Sequence, residues 1–221
     1  MTIAIPVDDA PIPVRGDPNG LALAGGVLYV ADGFSGAILR IDGQRQQRIA
    51  TIDPAGVVAA NRVGGMVATP HGTLYVARIG HGHSGSIFRV QPDGAIEELE
   101  KLAMRYWRQG VAYDVAEHAL YTTQFMSGKR GAFDGSIVAV DLVSGEPSTV
   151  IDGFLKPTGI AKLGNVLVVA DARQRAVFRI DLIAGRAAFR LQLSADVDRP
   201  DSVCACGDDS VLVTTYDEDT R

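Results

Sequence analysis

An apolar run with one leucine recurs along the chain at an almost constant spacing. The five runs read VLYVAD, TLYVAR, ALYTTQ, VLVVAD and VLVTTY, and their leucines are Leu28, Leu74, Leu120, Leu167 and Leu212. The intervals between successive leucines are 46, 46, 47 and 45 residues. A fixed period in this range indicates an array of structural repeats, either a solenoid or a propeller.

The content of one repeat decides between these two architectures. In the first repeat the runs NGLALAGG, VLYVAD, GAILRID and QQRIATI follow one another, separated by turn-forming Gly and Asp. Four short runs rich in β-branched and apolar residues predict a four-stranded antiparallel meander. No repeat has a convincing helical period, which excludes a helical solenoid. The sequence therefore predicts an all-β fold, a β-propeller of four-stranded antiparallel blades with about five blades visible.

Two long stretches resemble a known group of propellers. They read PNGLALAGGVLYVADGFSGAILRID and KPTGIAKLGNVLVVADARQRAVFRID, and they are similar to the SMP-30/gluconolactonase-like superfamily and the related NHL-repeat propellers. The resemblance covers roughly residues 15 to 221, so we expect one propeller domain over residues 1–221. Finishing the fifth blade and adding a sixth at this repeat length gives about 285 residues. That is the usual size of the group, so the resemblance implies six blades in a complete relative.

The fifth repeat supplies only its first two strands, DSVCACG and SVLVTTY, before the sequence ends. An unfinished blade exposes an unpaired strand edge, and an open ring exposes apolar faces. We expect one of three solutions. The chain is part of a longer one, or the N-terminal segments TIAIPV and APIPV close a five-bladed ring, or self-association or a second chain completes the ring. Pro6, Pro11 and Pro13 suit an edge strand better than a central one.

Composition narrows the class of partner. The formal net charge of −5 argues against a general nucleic-acid binder. No apolar stretch approaches the length of a membrane span, and the N-terminus MTIAIPVDDAPIPV lacks the pattern of a signal peptide. Cys204 and Cys206 are the only cysteines and are poorly spaced to bond each other along one strand. We therefore expect a cytoplasmic protein with a small-molecule ligand, no nucleic acid and no membrane partner.

Each repeat begins with a similar junction: DPNG, RVGG, WRQG, KPTG and RPDS. In a propeller the first strand of each blade lines the central channel, so the residue before the small one should face that channel. We call these positions the corners; they are Asn19, Gly64, Gln109, Thr158 and Asp201. Four polar side chains converging on one point can bind a ligand. Turn chemistry alone is the competing explanation, because Asn, Asp and Gly also suit turns.

The resemblance implies a more specific chemistry for these corners. Lactonases of the group hold one divalent cation, most often calcium, over the channel, with an acidic residue at the first corner, Asn at the third and fourth, and Asp at the fifth. Only Asp201 matches that pattern in type. We predict Asn19 and Asp201 as metal ligands and Asp201 as the catalytic base of a lactonase-type hydrolase. The alternatives are a non-catalytic propeller that binds a protein or small ligand, and a metal-independent cyclase, lyase or isomerase.

Loops at the same end of the central channel as the corners supply further candidates. The loop RIGHGHSGS carries Arg78, His81 and His83, and an H-x-H pair binds zinc only with a third ligand. The long segment QFMSGKRGAFDGS places Gln124, Lys129 and Arg130 where a lid could close. The full set predicted to contact a substrate is Arg62, Arg78, His81, His83, Gln109, Gln124, Lys156 and Thr158.

Two further residue types have a structural and a functional interpretation. Trp107 is expected either to pack between blades or to form a wall against which a ligand stacks. Asp32 and Asp171 end the second strand of their repeats, where a carboxylate can cap the following turn. We predict that these two aspartates are structural.

Overall fold

Antiparallel strands form nearly all the regular structure of the protein. A computed structural model describes residue 14 and residues 16–43, 45–53, 62–128, 132–207 and 209–216. Blade one contains β1 (Pro18–Ala24), β2 (Val27–Asp32), β3 (Ala37–Asp42) and β4 (Arg45–Thr51). Blade two contains β5 (Val63–Ala68), β6 (Leu74–Arg78), β7 (Ser86–Val90) and β8 (Ile96–Glu98), with a 3-10 turn at Gly80–Gly82.

The later repeats have the same strand order. Blade three contains β9 (Trp107–Asp114), β10 (Ala119–Ser127), β11 (Phe133–Asp141) and β12 (Pro147–Phe154). Blade four contains β13 (Pro157–Leu163), β14 (Val166–Asp171), β15 (Ala176–Ile183) and β16 (Arg186–Ser194). Blade five contains β17 (Pro200–Cys206) and β18 (Ser210–Thr215). The described residues thus form four four-stranded antiparallel meanders and one two-stranded sheet, which confirms the predicted β-propeller.

The core lies between successive blades rather than at one centre. One apolar cluster joins blades one and two, a second joins blades two and three, and a third joins blades three and four. The repeat residues Leu74, Leu120 and Leu167 are completely buried in these layers. The second strands of blades two to four, β6, β10 and β14, are buried at most of their positions. This explains why the leucine run is the strongest repeat in the sequence.

The small residue after each corner lets the innermost strands approach closely. The strands β1, β5, β9, β13 and β17 contact one another in chain order. A Cβ atom on Gly20 would lie 2.4 Å from the carbonyl oxygen of Gly64, and one on Gly110 would lie 2.5 Å from that of Thr158. Any side chain there would push neighbouring blades apart. The glycines of the junctions are therefore explained by blade packing.

The first and fifth blades expose apolar side chains on their outer faces. Leu21 and Leu23 of β1 are 62% and 71% exposed, and Leu212 of β18 is 63% exposed. The prediction that further chain or a second copy covers these faces stays a prediction. The segments TIAIPV and APIPV, proposed to close the ring, lie outside the described residues. In the described part of the chain, no helix has the length and apolar character needed to cross a bilayer.

Candidate functional site

The innermost strands begin, and the second strands end, on one face of the propeller, which we call the upper rim. Two corner side chains on this rim tie neighbouring blades together. The side-chain amide of Asn19 donates a hydrogen bond to the carbonyl oxygen of Val63 at 2.7 Å. The hydroxyl of Thr158 donates to the carbonyl oxygen of Pro200 at 2.9 Å. Val63 and Pro200 each precede the corner of the next blade, so the two bonds are equivalent.

These ties change the interpretation of both corners. Thr158 is only 2% exposed, so its hydroxyl has no surface to offer a substrate, contrary to the role expected for it. Asn19 is exposed, but its amide donor already serves the blade contact. Both residues hold the ring together in this structure.

Gln109 and Asp201 are the corners that meet as predicted. The side-chain amide of Gln109 donates to Oδ1 of Asp201 at 2.6 Å, although the residues are 92 positions apart. Gln109 begins blade three and Asp201 begins blade five, so the bond passes over blade four. A threonine or asparagine reaches only the adjacent blade, whereas the longer glutamine side chain spans the channel.

The Asp201 carboxyl group lies in a largely dehydrated environment. Burial raises its pKa above the ordinary aspartate value, while the Gln109 hydrogen bond and the positive charge of Lys156 lower it in part. A carboxylate whose pKa moves toward neutrality becomes a better proton acceptor near physiological pH. Gln109, Lys156 and Asp201 thus form the candidate site, which we call the channel-mouth triad.

A row of ring side chains extends from the channel mouth along blades two and three. We call it the aromatic row; it contains His81, Trp107, Phe125 and Phe133. The ring centroids of His81 and Trp107 are 4.6 Å apart, and those of Trp107 and Phe125 are 5.4 Å apart. Phe125 and Phe133 follow at 6.3 Å. Trp107 stands two residues before Gln109, so the row begins beside the triad.

Cations flank the aromatic row. The Lys156 ammonium lies 6.0 Å from the centre of the Phe125 ring, and the Arg173 guanidinium lies 5.5 Å from that of Phe133. Both distances are within the range of cation–π attraction. Burial, followed by the charge of Arg62, lowers the pKa of His81. Both effects favour the neutral form of the His81 imidazole.

Two of the predicted substrate contacts lie away from the channel mouth. Arg78 is buried at the end of β6, where it lines a cavity of about 380 Å³ together with residues of β4, β7 and β8. Gln124 is not in a lid but inside β10, 7% exposed, and its amide donates to Ser136 Oγ at 3.0 Å. Arg78 and Gln124 do not lie at the channel mouth, because the second strands place these side chains between blades. Their contact with a substrate stays a prediction.

The remaining candidates lie on the upper rim with few contacts. Arg62 is exposed, and its carbonyl oxygen accepts a hydrogen bond from the Ile79 amide. His83 is exposed beside the Gly80–Gly82 turn. Among the described residues no three His, Cys, Asp or Glu side chains come together, so the zinc alternative lacks its third ligand there. Lys129 and Arg130, the predicted lid cations, lie outside the described residues.

Both aspartates predicted to be structural cap turns on this rim. Asp32 Oδ1 accepts hydrogen bonds from the backbone amides of Phe34 and Ser35. Asp171 is completely buried and accepts from four backbone amides. Those four donors are Leu155, Lys156, Arg173 and Gln174. The structural assignment of Asp32 and Asp171 is confirmed.

Comparison of the fold with solved structures identifies its type. The luciferin-regenerating enzyme has a TM-score of 0.68 and 15% identity over 90% of this chain and 69% of its own. A protein provisionally named gluconolactonase has a TM-score of 0.65 and 15% identity over 86% of this chain and 68% of its own. This chain therefore has the β-propeller fold that these two solved structures share. No family profile matches the sequence, and no characterised protein matches it as a sequence relative.

The fold is shared with proteins of different biological roles. A chain of the nidogen–laminin complex has a TM-score of 0.63 and 17% identity over 84% of this chain and 66% of its own. This propeller therefore spans about two thirds of the length of all three similar structures. At such identities the likeness shows architecture alone, because propellers host many activities.

The corner residues of this propeller fit a divalent cation poorly. Calcium sites are built from several oxygen ligands, usually with more than one carboxylate. Here Asp201 is the one corner carboxylate, and it already accepts the Gln109 amide. The positive charge of Lys156 acts on the same carboxylate and opposes a bound cation. No catalytic step proposed below passes through a metal.

Sequence reasoning missed the extent of the aromatic row. The sequence indicates ligand stacking as one of two roles for Trp107 but gives no such signal for Phe125 or Phe133. The register of blade three pairs Phe125 with Trp107 on neighbouring strands. Same-face alternation along β10 and β11 could have grouped these rings, since cross-strand neighbours stack on one face of a sheet.

Proposed function

We propose that the channel mouth is the active site of a lactonase-type hydrolase that works without a metal ion. The observation that carries the proposal is the partly buried Gln109–Asp201 pair, which holds a carboxylate of raised pKa at the channel mouth. Hydrolysis of a cyclic ester needs a base for the attacking water and a positive group near the carbonyl oxygen. Asp201 and Lys156 have these two chemistries.

The proposed reaction uses Asp201 as the proton acceptor. The oxygen of a water molecule adds to the lactone carbonyl carbon while Asp201 accepts a proton from it. Lys156 stabilises the negative charge on the carbonyl oxygen. The ring carbon–oxygen bond then breaks, and Asp201 returns the proton to the departing oxygen. The product is an open hydroxy acid, and its carboxyl group loses a proton to solvent.

Gln109 is a positioning residue in this proposal. Its hydrogen bond holds the Asp201 carboxylate in one orientation and keeps its pKa from rising further. The aromatic row and its cations favour a carbonyl-rich or anionic substrate with an apolar face. Such a ligand would place its ring against Trp107 and its oxygens toward Lys156.

The test compares two aspartates on the same rim. Asp201→Asn keeps the shape and the partner of the carboxyl group but removes the base. We expect a fall of about 100-fold or more in kcat for a lactone substrate with little change in KM, the usual scale for a general base. Asp198→Asn is the matched control, because Asp198 is exposed and forms only a long ion pair with Arg175. Equal activity of Asp201→Asn and the wild type would refute the proposal.

Non-catalytic binding of a small ligand is the second candidate, and the aromatic row favours it. The arrangement of rings and cations is a binding surface whether or not a reaction follows. Binding of a lactone without turnover by the wild type, lost in Trp107→Ala, would select this function. Chelation of divalent cations is expected to leave lactone hydrolysis unchanged for the first candidate and ligand binding unchanged for the second.

A further inference from the structure

A buried arginine lies between blades two and three, outside the channel-mouth triad. Arg108 is the residue before Gln109 on β9, so its side chain points to the opposite face of the strand. It is 1% exposed. One guanidinium nitrogen, Nη2, donates to the carbonyl oxygen of Ala103 at 3.2 Å. The other two nitrogens, Nε and Nη1, have no hydrogen-bond partner among the described residues.

This guanidinium lines a cavity of about 220 Å³. The cavity wall contains polar side chains that can accept or donate hydrogen bonds: Tyr106, Gln124, Ser148 and Thr149. Its apolar lining comes from Leu102, Ala103, Val138 and Pro147. The wall has no acidic residue, and its other cation, Lys101, is paired with Glu146.

Arg108 remains charged despite its burial. Burial lowers its pKa to about 10, which still leaves it protonated at neutral pH. A buried cation without a counter-charge is costly, and native proteins normally pair it with an opposite charge. The Tyr106 ring, 5.7 Å from the Arg108 guanidinium, gives a cation–π contact but supplies no such charge. No carboxylate of the described residues forms an ion pair with Arg108.

The buried charge of Arg78, in the neighbouring cavity, is compensated by the protein itself. Arg78 lines the cavity of about 380 Å³ near blades one and two. Its Nη2 pairs with Glu98 at 3.2 Å, and its Nε donates to the carbonyl oxygen of Ser84 at 2.7 Å. The same residue type is therefore satisfied by the protein in one cavity and left with free donors in the other.

We propose that the cavity between blades two and three binds a small carboxylate through Arg108. A carboxylate supplies the missing negative charge and can accept hydrogen bonds from the free guanidinium nitrogens. The apolar part of the wall accommodates a short alkyl chain, which free phosphate lacks. The cavity volume fits a ligand of a few heavy atoms. This site is separate from the channel mouth and does not depend on the proposed hydrolase activity.

The experiment titrates propionate into the wild-type protein by calorimetry and by thermal unfolding at constant ionic strength. We expect saturable heat and a rise in Tm, because a ligand that binds only the folded state stabilises it. Propionamide, which has the same shape without the charge, should give neither. Phosphate tests the other oxyanion; saturable binding of phosphate but not of propionate would overturn the carboxylate assignment.

Variants locate the site. Arg108→Met should weaken propionate binding by about tenfold or more, since a charged hydrogen-bonded pair is lost. Arg108→Lys keeps the charge but loses the planar donors, so an intermediate affinity is expected. Arg186→Gln, at an exposed arginine of β16 outside the cavity wall, should bind like the wild type. Wild-type protein that binds no propionate, or Arg108→Met that binds it normally, would overturn the proposal.

If Arg108→Met fails to fold, the contrast between propionate and propionamide on the wild type still decides whether a carboxylate binds. The Arg108→Lys variant, which keeps the buried charge, then locates the site. It should bind propionate more weakly than the wild type and respond to propionamide in the same way. Equal propionate affinity in Arg108→Lys and the wild type would remove Arg108 from the site.

Discussion

Blades one and four differ from blades two and three at one equivalent position, four residues after the repeat leucine. Blades one and four have Asp32 and Asp171 there, and both cap the turn after the second strand. Blades two and three have Arg78 and Gln124 instead. Each of these lines one of the two cavities described above. In this propeller, the two blades that lack the capping aspartate are the blades in which that position lines a cavity.

The uncapped blades close their turns in two different ways. Blade two uses the 3-10 turn Gly80–Gly82, in which the His83 and Ser84 amides donate to the Gly80 carbonyl oxygen. Blade three extends its hairpin, so that β10 and β11 stay paired as far as Ser127 and Phe133. In both cases backbone hydrogen bonds take the place of the aspartate cap, and the side chain at the capping position makes other contacts.

The largest expected effect is on the free energy of unfolding, and it tests the role of the capping aspartates. Asp171→Ala leaves four backbone amides on the buried side of blade four without their acceptor. We expect a loss of about 3 kcal/mol or more in the free energy of unfolding, on the scale of several unsatisfied buried groups. Urea denaturation measures it. Gln124→Ala, the equivalent change in blade three, should cost only about 1 kcal/mol, because one hydrogen bond to Ser136 is lost. Equal losses would break the comparison.

The next effect compares the two buried arginines. Arg78→Met leaves Glu98 without its partner, and we expect a cost of about 2 kcal/mol, since Glu98 remains partly exposed. Arg108→Met removes a charge that has no ion-pair partner, so we expect a change within about 1 kcal/mol or a gain in stability. Denaturation of the two variants without added carboxylate measures both. A larger loss for Arg108→Met would mean that the protein itself compensates this charge.

The smallest effect is a difference in pH dependence between two aspartates. Burial acts to raise the pKa of Asp32, but the amides of Ser35 and Phe34 outweigh it and hold the pKa below its ordinary value. That contribution to stability is present above the unfolded-state pKa and is lost as the pH falls through the folded-state pKa. Asp32→Asn should therefore lower stability at neutral pH and flatten its acid dependence.

The pKa shift of Asp201 has the opposite sign to that of Asp32. The folded-state pKa of Asp201 is raised by burial, so its contribution to stability is present below the unfolded-state pKa and is lost as the pH rises through the raised value. Asp201→Asn should therefore match or exceed the wild-type stability at neutral pH. Thermal unfolding between about pH 3 and pH 8, which covers ordinary and raised aspartate pKa values, separates the two variants. The same slope for both would contradict these assignments.

The repeat made the fold predictable, and it made half of the site predictable as well. The leucine spacing located the blades, since Leu74, Leu120 and Leu167 are buried between blades. The corner positions predicted that Gln109 and Asp201 would approach each other. The ties made by Asn19 and Thr158 could not be foreseen, because they depend on carbonyl groups of the next blade.

The misplaced residues have a common cause. Arg78 and Gln124 were expected in rim loops, but their strands continue to these positions and turn the side chains between blades. Arg108 precedes the corner Gln109 on β9. Its neighbour Gln109 faces the channel, and the alternation of side chains along a strand then directs Arg108 to the opposite face. That pattern was available in the sequence WRQG.

The pH–rate profile of lactone hydrolysis by the wild type and by Gln109→Leu tests the role of Asp201 most directly. The account predicts an acidic limb above the ordinary aspartate pKa of about 3.9. In Gln109→Leu this limb moves to higher pH, because the hydrogen bond that lowers the pKa of Asp201 is gone. A limb at the ordinary aspartate value, or one that Gln109→Leu leaves in place, would contradict Asp201 as the proton acceptor at the channel mouth.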